Sequence, residues 1–309
     1  MPPDVGTLPE PEGRALVLSL WNIGATMQNI SFENFLTLST KYSGVFKPCF
    51  FLCKNISLYM EREIEVMRMI DTFLFDLDGT LLPVDTNKML DEYFLSLTKK
   101  LSPLFDPHFL FKSLYSASMD MINNLDPNKT NEEAFFDSFL KKVNYPKEEL
   151  DVLFEDFYLN DYKELGKNIK ANEYVKKSLE ILKEKGYTLV LATNPVFPRI
   201  AILERLRWAG LNESYFDFIT TYENMHFCKP HIQYYEEILK VINKKPENCY
   251  MVGNDVEEDL IAFKLGMKTF LIEDYMINRN SKDIVATQKG SYKDLYEFVC
   301  SFKEGGKNL

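Results

Sequence analysis

The chain has 309 residues, enough for one large domain or two moderate ones. Its hydrophobic fraction of 46% is that of a globular protein with a sizeable core, and its formal net charge is −10. That sign argues against nucleic acid and anionic membranes as partners, while a small anionic substrate stays possible because one metal ion and one lysine reverse the sign locally.

The five cysteines, Cys49, Cys53, Cys228, Cys249 and Cys300, form no CxxC pair and no zinc-like cluster with the three histidines. They read as inert thiols in a reducing compartment. No apolar run reaches the ~20 residues of a membrane span. Met1 to Asp4 lacks the basic start of a signal peptide, so a cytoplasmic location is expected.

Up to about Ile70 the chain carries Pro-rich turns, then aromatic and apolar residues without a sustained period. Glu61-Arg62-Glu63 can be encoded by a purine-rich stretch resembling a ribosome-binding site, placed just before a start at Met67. Residues 1–66 are therefore expected to be an N-terminal extension outside the working protein. The alternative is an accessory segment packed on the core.

From Asp71 the pattern sharpens. Thr72-Phe73-Leu74-Phe75 is a short apolar run that stops at Asp76-Leu77-Asp78-Gly79-Thr80, as a buried parallel strand does when it delivers residues to a site. Residues 85–168 read as helical. Thr130-Asn131-Glu132-Glu133 has capping-box spacing, followed by Phe135, Phe136, Phe139, Leu140 and Val143 at helical intervals. Pro146 opens a further helix through Leu150, Leu153, Phe154 and Phe157. These aromatics read as a small helical core.

Strands and helices then alternate. Helices are expected over Tyr174 to Lys185, Arg199 to Ala209, Ile232 to Ile242 and Glu257 to Leu265, with Gly186, Gly210 and Gly266 closing three of them. Strands are expected over Tyr187 to Ala192, Phe216 to Thr220, Cys249 to Val252 and Lys268 to Ile272. Such alternation implies a doubly wound α/β fold, a Rossmann-like parallel sheet wrapped by helices, with ligands at the carboxyl ends of the strands.

Those strand ends carry polar groups suited to one job. Asp76 and Asp78 follow the first strand, Thr193 and Asn194 the second. Lys229 precedes Pro230 at a helix start, and Asp255 and Asp259 follow a later strand. Several carboxylates with one lysine and one hydroxyl describe a site for a hard cation and a phosphate. Magnesium takes oxygen ligands, and buried carboxylates without a cation would repel one another. Glu257 and Glu258 read as solvated acids at a helix start, His226 and His231 as loop residues facing solvent, and Trp21 and Trp208 carry no functional expectation.

In order and spacing these segments resemble the four motifs of the haloacid-dehalogenase-like superfamily. Asp76-Leu77-Asp78-Gly79-Thr80 is similar to its DxDGT motif, and Leu191-Ala192-Thr193-Asn194 to its second. Lys229-Pro230 is similar to its third, and Gly253-Asn254-Asp255-Val256-Glu257-Glu258-Asp259 to its fourth. Lys-Pro alone carries no information, but the ordered set does. The resemblance implies that Asp76 is the nucleophile and that Asp78 is the acid–base residue, whose presence favours phosphoryl transfer over dehalogenation. It also implies that Thr193, Asn194 and Lys229 bind the phosphoryl group, and that Asp76, Asp78 (through its carbonyl) and Asp255 hold Mg²⁺. Asp259 is then expected to orient Lys229 or a metal-bound water.

The helical insert resembles the cap of the phosphatase branch. The expected organisation is a catalytic core of residues 67–84 and 169–309 with an inserted helical cap domain, 85–168. The expected activity is a magnesium-dependent phosphatase acting on a small phosphorylated metabolite through an aspartyl-phosphate. The alternatives are a sugar phosphomutase on the same scaffold or a non-catalytic binding module. The sequence names neither the substrate nor an oligomeric state.

Overall fold

The computed structural model describes residues 70–304. The expectations for residues 1–66, with Trp21, Cys49 and Cys53, lie outside the described residues. Strand β1 (Thr72–Phe75) is buried throughout and pairs on both sides, with β2 (Thr188–Leu191) and β4 (Cys249–Gly253). Beyond β2 lies β3 (Phe218–Ile219); beyond β4 lie β5 (Lys268–Ile272) and β6 (Gln288–Gly290). All pairings are parallel, and the order is β3-β2-β1-β4-β5-β6. The direction of winding reverses between β1 and β4, the switch point at whose carboxyl ends such folds bind ligands.

The two-residue period of the strands sorts their side chains between two cores. Phe73, Phe75, Leu189, Leu191, Tyr250 and Val252 join one apolar cluster; Leu74, Val190, Cys249 and Met251 join the other. Each fully buried large apolar side chain contributes about 1.5–3 kcal/mol by leaving water. The sheet is thereby fixed in register from both faces.

Between β1 and β2 the chain inserts four helices: α1 (Thr86–Leu101), α2 (Pro107–Ile122), α3 (Asn131–Val143) and α4 (Lys147–Asp156). Their starts follow from local chemistry. Asp85 and Asp106 accept from Lys88 N–H and Phe109 N–H. Thr130 and Glu133 form the expected capping box. A π-helical turn, Phe157–Asp161, and a 3₁₀ turn, Tyr162–Gly166, lead out of the insert. Leu97, Leu110, Phe139 and Phe157 of the insert belong to the same apolar cluster as Phe73 and Phe75 of the sheet.

Helix α5 (Glu173–Glu184) returns the chain to the sheet, and α6 (Arg199–Trp208) and α7 (Ile232–Ile242) serve as crossovers. The helix expected over Glu257 to Leu265 is instead a run of turns followed by a 3₁₀ helix, Leu260–Leu265. Asp255 caps this run, its side chain accepting from Glu257 and Glu258 N–H, and the Asp259 carboxylate ties back to Asp255 N–H. Strand β6 and helix α8 (Tyr292–Ser301) had no counterpart in the sequence reading. Ser291 and Asp294 form a capping box at the start of α8, a signal present in the sequence. Among the described residues no helix is long and apolar enough to cross a membrane.

Candidate active site

The first carboxylate is delivered by the end of β1. Asp76 N–H donates to Val252 O at 2.9 Å, extending the pairing with β4 by one residue before the chain turns. The turn is closed by Leu82 N–H to Leu77 O and Gly79 N–H to Leu82 O, both 2.8 Å. Gly79 sits at φ +86, and a Cβ there would fall 2.2 Å from Asn254 Nδ2. Glycine is therefore required both for the backbone angle and for the approach of the Asn254 loop. Asn254 clamps the turn in return, accepting from Thr80 Oγ1 at 3.1 Å and donating to Tyr275 O at 2.7 Å.

Lys229 lies at the centre. Its side chain is 1% exposed, and Nζ donates to Asp76 Oδ1 at 2.8 Å and to Asp259 Oδ1 at 2.7 Å. Burial alone would lower its pKa, but Asp259 and Asp76 outweigh it and hold the ammonium well above its usual range. The Lys229–Pro230 peptide is cis. Asp259 turns its second oxygen to Asp255 N–H at 2.9 Å, so it orients the lysine and ties the loop after β4.

Asp76 is buried, and desolvation raises its pKa to about 6 against the pull of Lys229. Asp78 is raised by burial too, and there the opposing cation is Arg205. The Arg205 guanidinium pairs with Asp78 Oδ2 and has no exposed surface. Asp78 Oδ1 is buried and accepts no hydrogen bond, while its backbone carbonyl accepts from Thr86 Oγ1 at 3.3 Å.

Thr193 follows β2. Its carbonyl is held by Thr220 Oγ1 at 2.7 Å and Tyr234 O–H at 2.8 Å. The Asn194 side chain joins two loops, accepting from Lys229 N–H at 3.2 Å and donating to Glu258 Oε2 at 3.1 Å. Asp255 Oδ1 accepts from Glu257 and Glu258 N–H at 2.8 and 3.0 Å, and Oδ2 pairs with Arg279. Thus Asp76, Asn194, Lys229, Asp255 and Asp259 form one bonded network, Asp78 couples to Asp76 and Lys229 electrostatically, and Thr193 adjoins them at the end of β2.

Five residues were missed or misread from sequence. Glu258 is not a solvated acid. It is largely buried, receives Asn194, and desolvation with Asp255 nearby raises its pKa to about 7. Glu257 also has partners, Asn280 and Lys282. Arg279 reaches Asp255 and Glu258 from a loop without a motif. Arg205 carried a signal: it falls on the same helical face as the buried Ala201 and Ile202, where a charge needs a partner. His226 bonds Glu237 Oε1 at 2.6 Å and is partly buried, so it is tied down rather than loose in solvent.

Fold and site together define a doubly wound α/β enzyme whose carboxylates and one lysine converge at the switch point of a parallel sheet. The sequence pattern of the haloacid dehalogenase-like hydrolases matches residues 70–266, well over half of the chain. The chain belongs to that family of hydrolases. Among curated relatives, the pyrophosphatase PpaX of Bacillus cereus (strain ATCC 10987 / NRS 248) is 27% identical over 200 residues, 65% of this chain and 82% of the relative. Among solved structures, a HAD phosphatase from Thermococcus onnurineus is similar over 76% of this chain and 100% of its own. Its TM-score is 0.48 and its identity 22%. The HAD hydrolase YfnB of Bacillus subtilis, solved with magnesium bound, is similar over 74% of this chain and 98% of its own, with a TM-score of 0.46 and 19% identity.

Proposed function

We propose that this hydrolase is a magnesium-dependent phosphatase that acts on a small phosphorylated substrate through a phosphoryl-enzyme on Asp76. The observation that carries the reading is the pair Asp76 and Asp78. The first is held by a buried lysine, and the second keeps one carboxylate oxygen, Oδ1, buried without a partner. A nucleophile next to a separate proton carrier is what phosphate-ester cleavage needs, whereas halide departure needs no proton. The 27% identity to PpaX supports phosphoryl chemistry further.

In the first step an Asp76 carboxylate oxygen attacks phosphorus, the bond from phosphorus to the ester oxygen breaks, and Asp78 gives that oxygen its proton. In the second step Asp78 takes a proton from water as the water oxygen attacks phosphorus. The bond to Asp76 breaks, and inorganic phosphate and the free carboxylate return. Lys229 neutralises charge on Asp76 and on the phosphoryl oxygens, and Thr193 donates its hydroxyl to one of them. Asp259 keeps Lys229 in place.

The donor set suits a hard divalent cation. Five carboxylates (Asp76, Asp78, Asp255, Glu258, Asp259) stand against three cations (Lys229, Arg205, Arg279), an excess of two negative charges. Asp76, Asp255 and the Asp78 carbonyl would hold magnesium. Two carboxylates with one carbonyl leave room for the several waters that magnesium keeps. When bound, magnesium supplies positive charge to the transferring phosphoryl group.

We further propose that the insert, residues 85–168, acts as a cap over the core and restricts the substrate to small molecules. The test is phosphate release from p-nitrophenyl phosphate with magnesium and with excess chelator. Turnover that needs the metal is expected; equal rates in both would overturn the metal assignment, and no release from any phosphomonoester would overturn the phosphatase reading.

A further inference from the structure

Arg205 lies in α6, one turn beyond Ala201 and Ile202, so the helix period carries it inward with them. Burying a guanidinium is costly unless its N–H groups find partners. One of its nitrogens, Nη1, meets Asp78 Oδ2. The face of the group lies 4.3 Å from the centre of the Phe197 ring. The remaining nitrogens, Nε and Nη2, are buried and have no hydrogen-bond partner. They are the two donors on one edge of the guanidinium, the edge that grips a carboxylate or phosphate with two parallel hydrogen bonds.

A second orphan belongs to the insert. Tyr162 is 1% exposed, its hydroxyl has no hydrogen-bond partner, and it lies within electrostatic reach of Arg205 and Asp78. Its ring packs on Trp208 of α6 at 5.0 Å and on Tyr93 of α1 at 6.0 Å; Tyr93 in turn packs on Phe197 at 5.0 Å. The π-helical turn at Phe157–Asp161 immediately precedes Tyr162. Such turns are rare and favour functional positions. The orphaned donors therefore stand on both sides of the seam between insert and sheet, beside the Asp78 oxygen that also lacks a partner. Buried donors left unpaired are costly, and here three donors of two residues lie along one seam.

We propose that the Nε/Nη2 edge of Arg205 and the Tyr162 hydroxyl form the subsite for the leaving group, selecting phosphate esters whose leaving group carries an anionic oxygen pair a bond or two from the ester oxygen. This rests on the phosphatase reading, since it is Asp78 that addresses the ester oxygen. Arg205 does two things at once: Nη1 holds Asp78, and the opposite edge receives the anion. Opening of the insert away from α6 admits the leaving group to a pair that is closed to solvent in the arrangement described.

The experiment compares kcat/KM for phosphoglycolate with that for ethyl phosphate, which has a methyl group in place of the carboxylate. It uses the full chain and the variants Arg205→Lys and Tyr162→Phe. Lysine keeps a cation for Asp78 but loses the two-donor edge; phenylalanine removes only the hydroxyl. The native chain should prefer phosphoglycolate, and each variant should lower the preference ratio by about 10-fold or more, the loss expected for a hydrogen bond to a charged group. Should Arg205→Lys fold poorly, Tyr162→Phe decides alone. If the hydroxyl is only an unpaired buried group, its removal raises the melting temperature and leaves the ratio unmoved, which overturns the proposal. Native enzyme that turns over both esters equally also overturns it while leaving the phosphatase reading intact. Native enzyme inactive on every phosphomonoester overturns both.

Discussion

Each ionised side chain at this site is held by named neighbours, so single substitutions have distinct signatures. Asp78→Asn keeps the shape beside Arg205 but removes the proton. We expect kcat to fall by about 10²–10⁴-fold for an alkyl phosphate, with a smaller loss for p-nitrophenyl phosphate, whose leaving oxygen needs little protonation. Equal losses on both would argue against an acid role. Glu258 gives a pH signature. Burial and Asp255 raise its pKa to about 7, with Asp259 adding to the rise and Lys229 and Arg279 opposing it. A carboxyl raised in the folded state contributes stability that is full below its unfolded value and lost as pH rises through 7. Glu258→Gln removes that loss, so the melting temperature of the variant relative to the native chain, measured in chelator, should climb from pH 5 to pH 8. A flat difference would mean that Glu258 is not under this strain. Asp76, Asp78 and Asp255 were legible because strand ends announce them, and Lys229 only as part of the ordered motif set. Glu258 and Arg279 were not, because a charge opposite another across a loop leaves no periodic trace.

At the level of elements, the site depends on how closely the end of β4 packs. A Cβ built on Gly253 would lie 2.1 Å from Asp259 Oδ2 and 2.2 Å from its Cγ. The crowding falls on the carboxylate that holds Lys229 and Asp255 N–H. Gly253→Ala should therefore cost about 1–3 kcal/mol in stability through overpacking and lower kcat beyond what that loss explains. Denaturant melts and kinetics on the same samples separate the two, and near-native kcat would mean that Asp259 can move without cost. The strands that flank the site and the insert helices were legible from apolar runs, capping residues and helix-closing glycines. The Leu260–Leu265 segment was not, because its apolar spacing and the Asp255 cap before it both fit an α-helix. β6 was not read, since three residues of which two are exposed give no strand signal, whereas α8 was announced by the Ser291–Asp294 capping box and passed over.

Across the whole molecule the net charge of −10 and the two-charge excess at the site point the same way. A divalent cation should bind the folded chain and not the unfolded one. At 100 times its dissociation constant it would add about 2.7 kcal/mol. Magnesium should thus raise the melting temperature by several degrees, and sodium at equal ionic strength should not, which separates binding from screening. No difference between the two salts would remove the metal from the account. The doubly wound order was legible because alternating strands and helices admit few topologies. The joining of insert and sheet in one apolar cluster was not, because contacts between distant segments leave no mark on local spacing.

The central claim is that Asp76 is the nucleophile, and the turnover of Asp76→Asn tests it most directly. The amide keeps the size of the carboxylate and can still meet Lys229, so the fold should survive, as a melt on the same sample will report. With magnesium present, the account predicts that hydrolysis of p-nitrophenyl phosphate falls to background. Magnesium-dependent turnover near the native rate would contradict it.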